Sequence, residues 1–402
     1  MPATPDRARR IFCAWAISAL AAALAAGQVS ELPDALGPDR ALLHFRPSAS
    51  ASVGVELVAT SAAGEERSAV LDLGPPGALG ESIDDHVRRL RQSRGGDARD
   101  ARRWHRTLGL DEALAALPPT VSRLVIVIDD GAPGALRRLP FAGLLDAAGE
   151  PLAAGYSLTW APSVEAWLSP SADGPRRGAV AIFVPESDRG PVAVAIRRRF
   201  AGQIFAGADA SPDALRGLDL RRFAALHLPA TFPGFGDPDG PGRPDLDLGG
   251  ALAVLTAGDV APPVDPLAAS RGAFRAGARS TVVERWPVPP TAAETLYADL
   301  YGGLASGLDI ATATRRARDR SQRRGEPAAV WASLAVVGRG DAVFEPLLPP
   351  LQRWVLRILS GLVVAAMVTA GLAFLWTRLQ GPVRLERPRR RRRVSGWPGK
   401  SS

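Results

Sequence analysis

The sequence predicts an α/β protein with a mostly parallel sheet covered by helices on both faces, followed by a separate membrane helix. Three observations carry this reading. Short apolar runs at 124–130, 223–228, 251–255 and 280–283 alternate with longer segments of helical period, as buried parallel strands joined by crossover helices do. Residues 358–376 contain no formal charge, and at 1.5 Å per residue they span about 28 Å, close to the thickness of the hydrocarbon layer. The positive charge is concentrated at the two ends of the chain.

That last point excludes a function class. The formal charge of +8 suggests nucleic-acid binding until it is located. Residues 378–402 hold nine Arg or Lys against Glu386, and residues 1–10 hold three Arg against Asp6, which leaves the body at −2. A body without basic bias does not bind nucleic acid through bulk electrostatics, and charge at both ends points to membrane topology. Cysteine usage is as decisive. Cys13 is the sole cysteine and lies in the N-terminal apolar run, so the body has no disulfide framework, no cysteine zinc site and no thiol nucleophile. G-x-S-x-G, H-E-x-x-H and P-loop motifs are absent, and no cofactor is implied.

Arg7, Arg9 and Arg10 precede an apolar run at 11–26 that ends in small residues, the layout of a signal peptide over 1–27. An uncleaved signal anchor is the alternative. Residues 28–40 read as a Pro- and Gly-bearing linker, and 41–345 as the folded body. Within the body, 41–46, 53–60 and 68–73 read as strands and 83–92 and 108–117 as helices, the second stopped by Pro118 and Pro119. After the strand at 124–130 come a strand at 178–185, an Arg-rich helix at 192–204 and a short helix at 212–218. The strands at 223–228, 251–255 and 280–283 follow, then helices at 291–306 and 309–323 and a closing strand at 332–337. Trp354 and Trp376 bracket a transmembrane helix over 354–376, and the tail 377–402 carries the run Arg389–Arg393. The positive-inside rule puts this tail in the cytoplasm and the body outside it. Gly361, Ala365 and Thr369 share one face of the span, a spacing that alanine-rich helices also produce by chance.

Parallel α/β sheets place their chemistry just past the strand C-termini, which directs attention to Pro229, Ala230, Thr231 and Gly258. The motifs there are His227-Leu-Pro-Ala-Thr231, Val254-Leu-Thr-Ala-Gly258-Asp259, Ala276-Gly-Ala-Arg-Ser-Thr-Val-Val283, Arg285-Trp-Pro-Val-Pro-Pro290 and Trp331-Ala-Ser-Leu-Ala-Val-Val-Gly338. This set resembles the CHAT family of caspase-like clan CD cysteine peptidases. Members show H-x-A-T-H-G, V-L-S-A-C-E, A-G-A-R-S-V-V, L-W-P-V-D-D and W-A-x-F-x-x-x-G in this order. The resemblance extends over roughly 40–345, including an L-P-F-x-x-L turn at Leu139–Leu144, and implies a caspase-like sheet with a smaller N-terminal α/β subregion. No 34-residue helical period precedes it, so no TPR array is expected.

The resemblance also implies what is missing. The second histidine of H-x-A-T-H-G falls on Thr231 and the cysteine on Gly258, so both members of the dyad are vacated. Residues 255–260 could instead match the segment that precedes the cysteine strand, and in either register no cysteine remains. Around the vacancy stand His227, Thr256, Asp259 and Trp286 as residual cleft residues. A rebuilt Thr/His/Asp site competes with a plainer reading, in which His227 is a hydrogen-bonded core histidine and Thr256 an ordinary strand residue. Trp286 reads as a core or cleft-wall residue. Pro289 and Pro290 replace the family's acidic pair, so the cleft is not expected to favour basic peptides. Asp237, Asp239, Asp245 and Asp247 form an acidic loop, but prolines break any EF-hand spacing and no metal is expected. The expected function is a membrane-anchored CHAT-like pseudopeptidase that binds a protein or peptide partner, with an active peptidase among the candidate partners. An active hydrolase with a substituted nucleophile and a purely structural surface protein are its rivals.

Overall fold

The computed structural model describes residues 36–48, 55–62, 66–92, 98–168, 175–184, 190–229, 247–257, 264–347 and 350–379. The signal segment, most of the linker, the tail beyond 379 and the positions Thr231, Gly258 and Asp259 lie outside the described residues. So do Asp237, Asp239 and Asp245 of the acidic loop.

Twelve strands join in one sheet: β1 (Arg40–Pro47), β2 (Val55–Ser61), β3 (Glu66–Leu71), β4 (Arg123–Ile128), β5 (Ser157–Ala161), β6 (Arg176–Val184), β7 (Gly202–Ala206), β8 (Phe223–Pro229), β9 (Leu252–Thr256), β10 (Ser280–Glu284), β11 (Leu334–Gly338) and β12 (Phe344–Pro346). Their order is β12-β6-β8-β9-β10-β11-β5-β4-β1-β2-β3, and β7 pairs with β6. Only β1–β2, β2–β3 and β10–β11 are antiparallel, so the sheet is mostly parallel as the sequence predicts. The N-terminal strands extend this same sheet. The helices of eight residues or more are α1 (Pro76–Gln92), α2 (Ala98–Thr107), α3 (Pro191–Arg199), α4 (Pro266–Arg275), α5 (Pro290–Ala305), α6 (Ile310–Arg323) and α7 (Pro350–Leu379).

The central strands are buried on both faces, so side-chain alternation sorts residues between two cores. Ala225, Leu252, Val254 and Val282 point to one core, with Ala193 and Ile196 of α3 and Leu296, Leu300 and Leu304 of α5. Leu226, Leu228, Ala253, Leu255 and Val283 point to the other, with Leu267 and Ala273 of α4 and Ile83 and Val87 of α1. On α5 the buried set Ala293, Leu296, Tyr297, Leu300, Tyr301 and Leu304 follows the i, i+3, i+4 rhythm of one helix face. Each fully buried Leu contributes on the order of 2 kcal/mol, and this stripe fixes α5 across the ends of β8 and β10. Asp309 caps α6, its carboxylate accepting the Thr312 N–H at 2.8 Å.

Two expectations need correction. The Arg-rich helix ends at Arg199, not 204: Phe200 is already extended and Gly202–Ala206 pairs with β6 as β7. The Ile204-Phe205 pair favours a pleated surface, and strand pairing wins over continuing the helix. Helix α2 escapes the apolar pattern because Ala98, Ala101 and Trp104 are its apolar residues, set among four arginines, Asp100, His105 and Thr107.

The sheet has a narrow seam. β11 and β5 share a single registered pair, Val337 with Trp160. Side chains reinforce the junction: Arg40 reaches Asp341 at 3.1 Å and Arg123 reaches Asp309 at 2.9 Å. Burial pushes the Asp341 carboxyl up, but the Arg339 and Arg40 guanidiniums more than offset this and hold it at about 2. At the other end, Gly178 lets β6 close on β8, because a Cβ there would sit 2.5 Å from the Arg222 carbonyl oxygen and the Ala224 nitrogen. The register slips by one residue just beyond it, between Ala179 and Val180.

Residues up to 349 form one compact unit and 350–402 a second. In the second, Ile358–Trp376 is a stretch of 19 residues with mean hydropathy 2.3, exposed throughout, and is long and apolar enough to cross a membrane.

Candidate functional site

The four parallel strands β6, β8, β9 and β10 end side by side, and a cavity of about 480 Å³ opens at their C-terminal ends. Its walls are Ile182 to Val184 of β6, Val192 and Ala193 of α3, Pro229 of β8, Pro287 to Pro290, and Ala293 of α5. Three titratable side chains line it: His227, Glu284 and Tyr297. The strand register explains why they meet. Ile182 pairs with His227, His227 with Val254 and Val254 with Val282, so one face carries His227, then Thr256 and Glu284 one step further along.

Each polar group in the cavity already has an internal partner. The His227 Nδ1 lies 3.3 Å from the Tyr301 hydroxyl, and its ring meets Tyr297 edge-on at 4.9 Å. The Tyr297 hydroxyl donates to Glu284 at 2.7 Å and the Val288 N–H donates to the other carboxylate oxygen at 2.9 Å. The Ala257 N–H bonds the same carboxyl. Thr256 donates its hydroxyl to the Leu228 carbonyl at 3.4 Å. Burial shifts the titrations: it lowers His227 to about 4, so the ring is neutral at neutral pH, and it raises Glu284 and both tyrosines. The cavity walls are therefore mostly apolar, and the polar side chains among them are bonded to internal partners.

His227 and Thr256 both line the cavity, yet they are bonded to different partners and not to each other. Trp286 does not line it. The indole is 1% exposed and its N–H donates to the Ala329 carbonyl at 2.7 Å, so this residue belongs to the core wall behind the site. Pro290 opens α5 as its first residue, which gives the proline pair a structural use where an N–H partner is not needed. Glu284 and Tyr297 escaped sequence reasoning. The available signal was Glu284 itself, a carboxylate two residues beyond Val282 on the same face of a buried strand. Among the described residues no cluster of His, Cys, Asp or Glu is suited to hold a metal.

His227 makes stability depend on pH. A histidine near 6.5 when unfolded and about 4 when folded contributes stability that is complete above pH 6.5 and is lost as pH falls toward 4. The shift corresponds to about 3 kcal/mol. Glu284, shifted upward, works in the opposite sense. Urea melts of wild type and His227→Gln across this range isolate the histidine: the gap between the two proteins should shrink on acidification. A constant gap would contradict it.

Residues 245–339 match the family model of the CHAT domain. Two crystal structures of the Saccharomyces cerevisiae separase-securin complex are similar to the chain. One is 9% identical with a TM-score of 0.48, covering 78% of this chain and 30% of the solved chain. The other is 8% identical with a TM-score of 0.46, covering 78% and 31%. This chain thus spans less than a third of the length of either solved chain. Among curated proteins, none matches it. The strands β9, β10 and β11, the helices between them and the part of the cavity lining from Thr256 to Tyr297 fall inside the region that is similar to the CHAT domain.

Proposed function

We propose that the chain is a membrane-anchored CHAT-type pseudopeptidase whose cleft binds an uncharged, apolar segment of a peptide or protein partner. The observation that carries this reading is the internal pairing of the cavity's polar groups. An acyl-transfer site needs a nucleophile bonded to a base and a vacant place for the oxyanion. Here Thr256 donates to a backbone carbonyl and His227 is tied to Tyr301, while Cys13 is the sole cysteine of the sequence. A concave apolar site of about 480 Å³ supports binding of side chains without ionic partners. The apolar stretch Ile358–Trp376 supports the anchor. The signal peptide, the extracytoplasmic body and the cytoplasmic tail are parts of the same proposal.

The test is to incubate the purified full-length protein with a diverse peptide mixture. Peptides with exposed Leu, Ile or Phe should be retained, and none should be cut. Cleavage by the unmodified protein that Thr256→Ala abolishes would overturn the proposal in favour of a working threonine site.

A further inference from the structure

We infer that Arg197, Arg198, Arg199 and Arg222 form a basic patch that seats the folded body on anionic lipid headgroups of the membrane into which α7 leads. The inference rests on the reading of α7 as a membrane anchor. Helix α3 closes on three consecutive arginines, all exposed, and Arg222 before β8 is exposed as well. None of the four makes an ion pair among the described residues. The neighbouring carboxylates are engaged, Glu345 with Arg177 and Asp219 with the Arg221 N–H.

The path of the chain places the patch. Leu347 accepts a hydrogen bond from the N–H of Ala201, two residues past Arg199, and donates its own N–H to the Gly178 carbonyl. Arg222 presses its carbonyl against that same Gly178. Pro350, where α7 begins, follows Leu347 by three positions, a reach of at most about 11 Å. All four arginines therefore gather around the strand from which the chain departs toward the apolar helix. The opposite end of α3, at Gly190 to Ala193, borders the cleft. Seating the arginine end on lipid leaves the cleft about 13 Å away along the helix and open to a partner.

Unpaired guanidiniums fit phosphate oxygens in a forked geometry, and anionic headgroups attract basic residues beside a membrane helix. A protein partner fits this surface less well. Protein interfaces turn on buried apolar or aromatic anchors, and in the body the exposed large hydrophobic among the described residues is Val70 on the remote strand β3.

Full-length protein reconstituted in nanodiscs of phosphatidylcholine alone, and in nanodiscs that also contain phosphatidylglycerol, provides the test by amide hydrogen exchange. Residues 194–206 should exchange roughly tenfold more slowly in the anionic nanodiscs. High salt should remove the difference, and so should the combined Arg197→Gln, Arg198→Gln, Arg199→Gln and Arg222→Gln variant, whose melting temperature reports that it is folded. Exchange indifferent to lipid charge would overturn the patch while leaving the anchor intact. Failure of the chain to enter nanodiscs at all would overturn the anchor, and the patch with it. Protection that persists in phosphatidylcholine and in the quadruple variant would assign the surface to a protein contact instead.

Discussion

Thr231→His combined with Gly258→Cys should confer peptide cleavage that neither single substitution confers. Pro229 and Thr256 are register partners at the ends of β8 and β9, and residues 231 and 258 each follow by two positions. Adjacent parallel strands thus end at Pro229 and Thr256, both of which line the one cavity. A thiol without a base remains mostly protonated, and an imidazole without a nucleophile attacks nothing, so the pair acts as a unit and its members are not additive. Loss of such a unit costs roughly 10⁶-fold, and the double variant should recover part of that on peptides with an uncharged residue for the cavity. Glu284 assists, because its carboxylate holds the Ala257 N–H immediately before the restored cysteine. An inert double variant with unchanged melting temperature would mean that the motif register used to align 254–259 is wrong.

Arg285→Ala should destabilise the body by about 3–5 kcal/mol, the range for stranding buried polar groups and leaving a cavity together. Arg285 is 2% exposed. Its guanidinium donates to the Leu139 carbonyl at 2.9 Å and the Arg137 carbonyl at 3.2 Å, and it lies over the rings of Trp160 and Trp286 at 6.0 and 5.6 Å. Burial lowers its pKa to about 9, so the cation persists at neutral pH at a cost that the carbonyls and indoles offset. Its carbonyl partners belong to the connection between β4 and β5, strands that lie across the seam where β11 meets β5 through one pair. Truncation leaves two acceptors without donors and removes a staple between the halves. Arg285→Met keeps most of the volume and removes the buried charge, and should lose clearly less. Urea denaturation of the three proteins at neutral pH decides the matter, and equal midpoints would dismiss the staple.

Much of this was legible in the linear chain. The parallel strands at 223–228, 251–255 and 280–283 are visible as short apolar runs because burial on both faces removes polar alternation, and the structure places strands on each. Ile358–Trp376 needs nothing beyond length and hydropathy. The absence of a thiol from the body follows from counting. Helix α2 was invisible for the converse reason, since its few apolar residues pack against a surface that only the folded sheet supplies.

Sequence alone therefore determined the class of fold, the resemblance to the CHAT motifs and the absence of a thiol from the body, all properties of local pattern or of composition. Tertiary structure decided what the cleft is made of. Glu284, Tyr297 and Tyr301 join His227 only because β8 and β10 lie one strand apart and α5 crosses their ends. The same packing decided for Trp286 between core and cleft wall in favour of the core, and carried the Arg285 cation across a seam to carbonyls 146 and 148 residues away. Such contacts join residues far apart in the chain, and neither hydrophobic period nor spacing encodes which of them will meet.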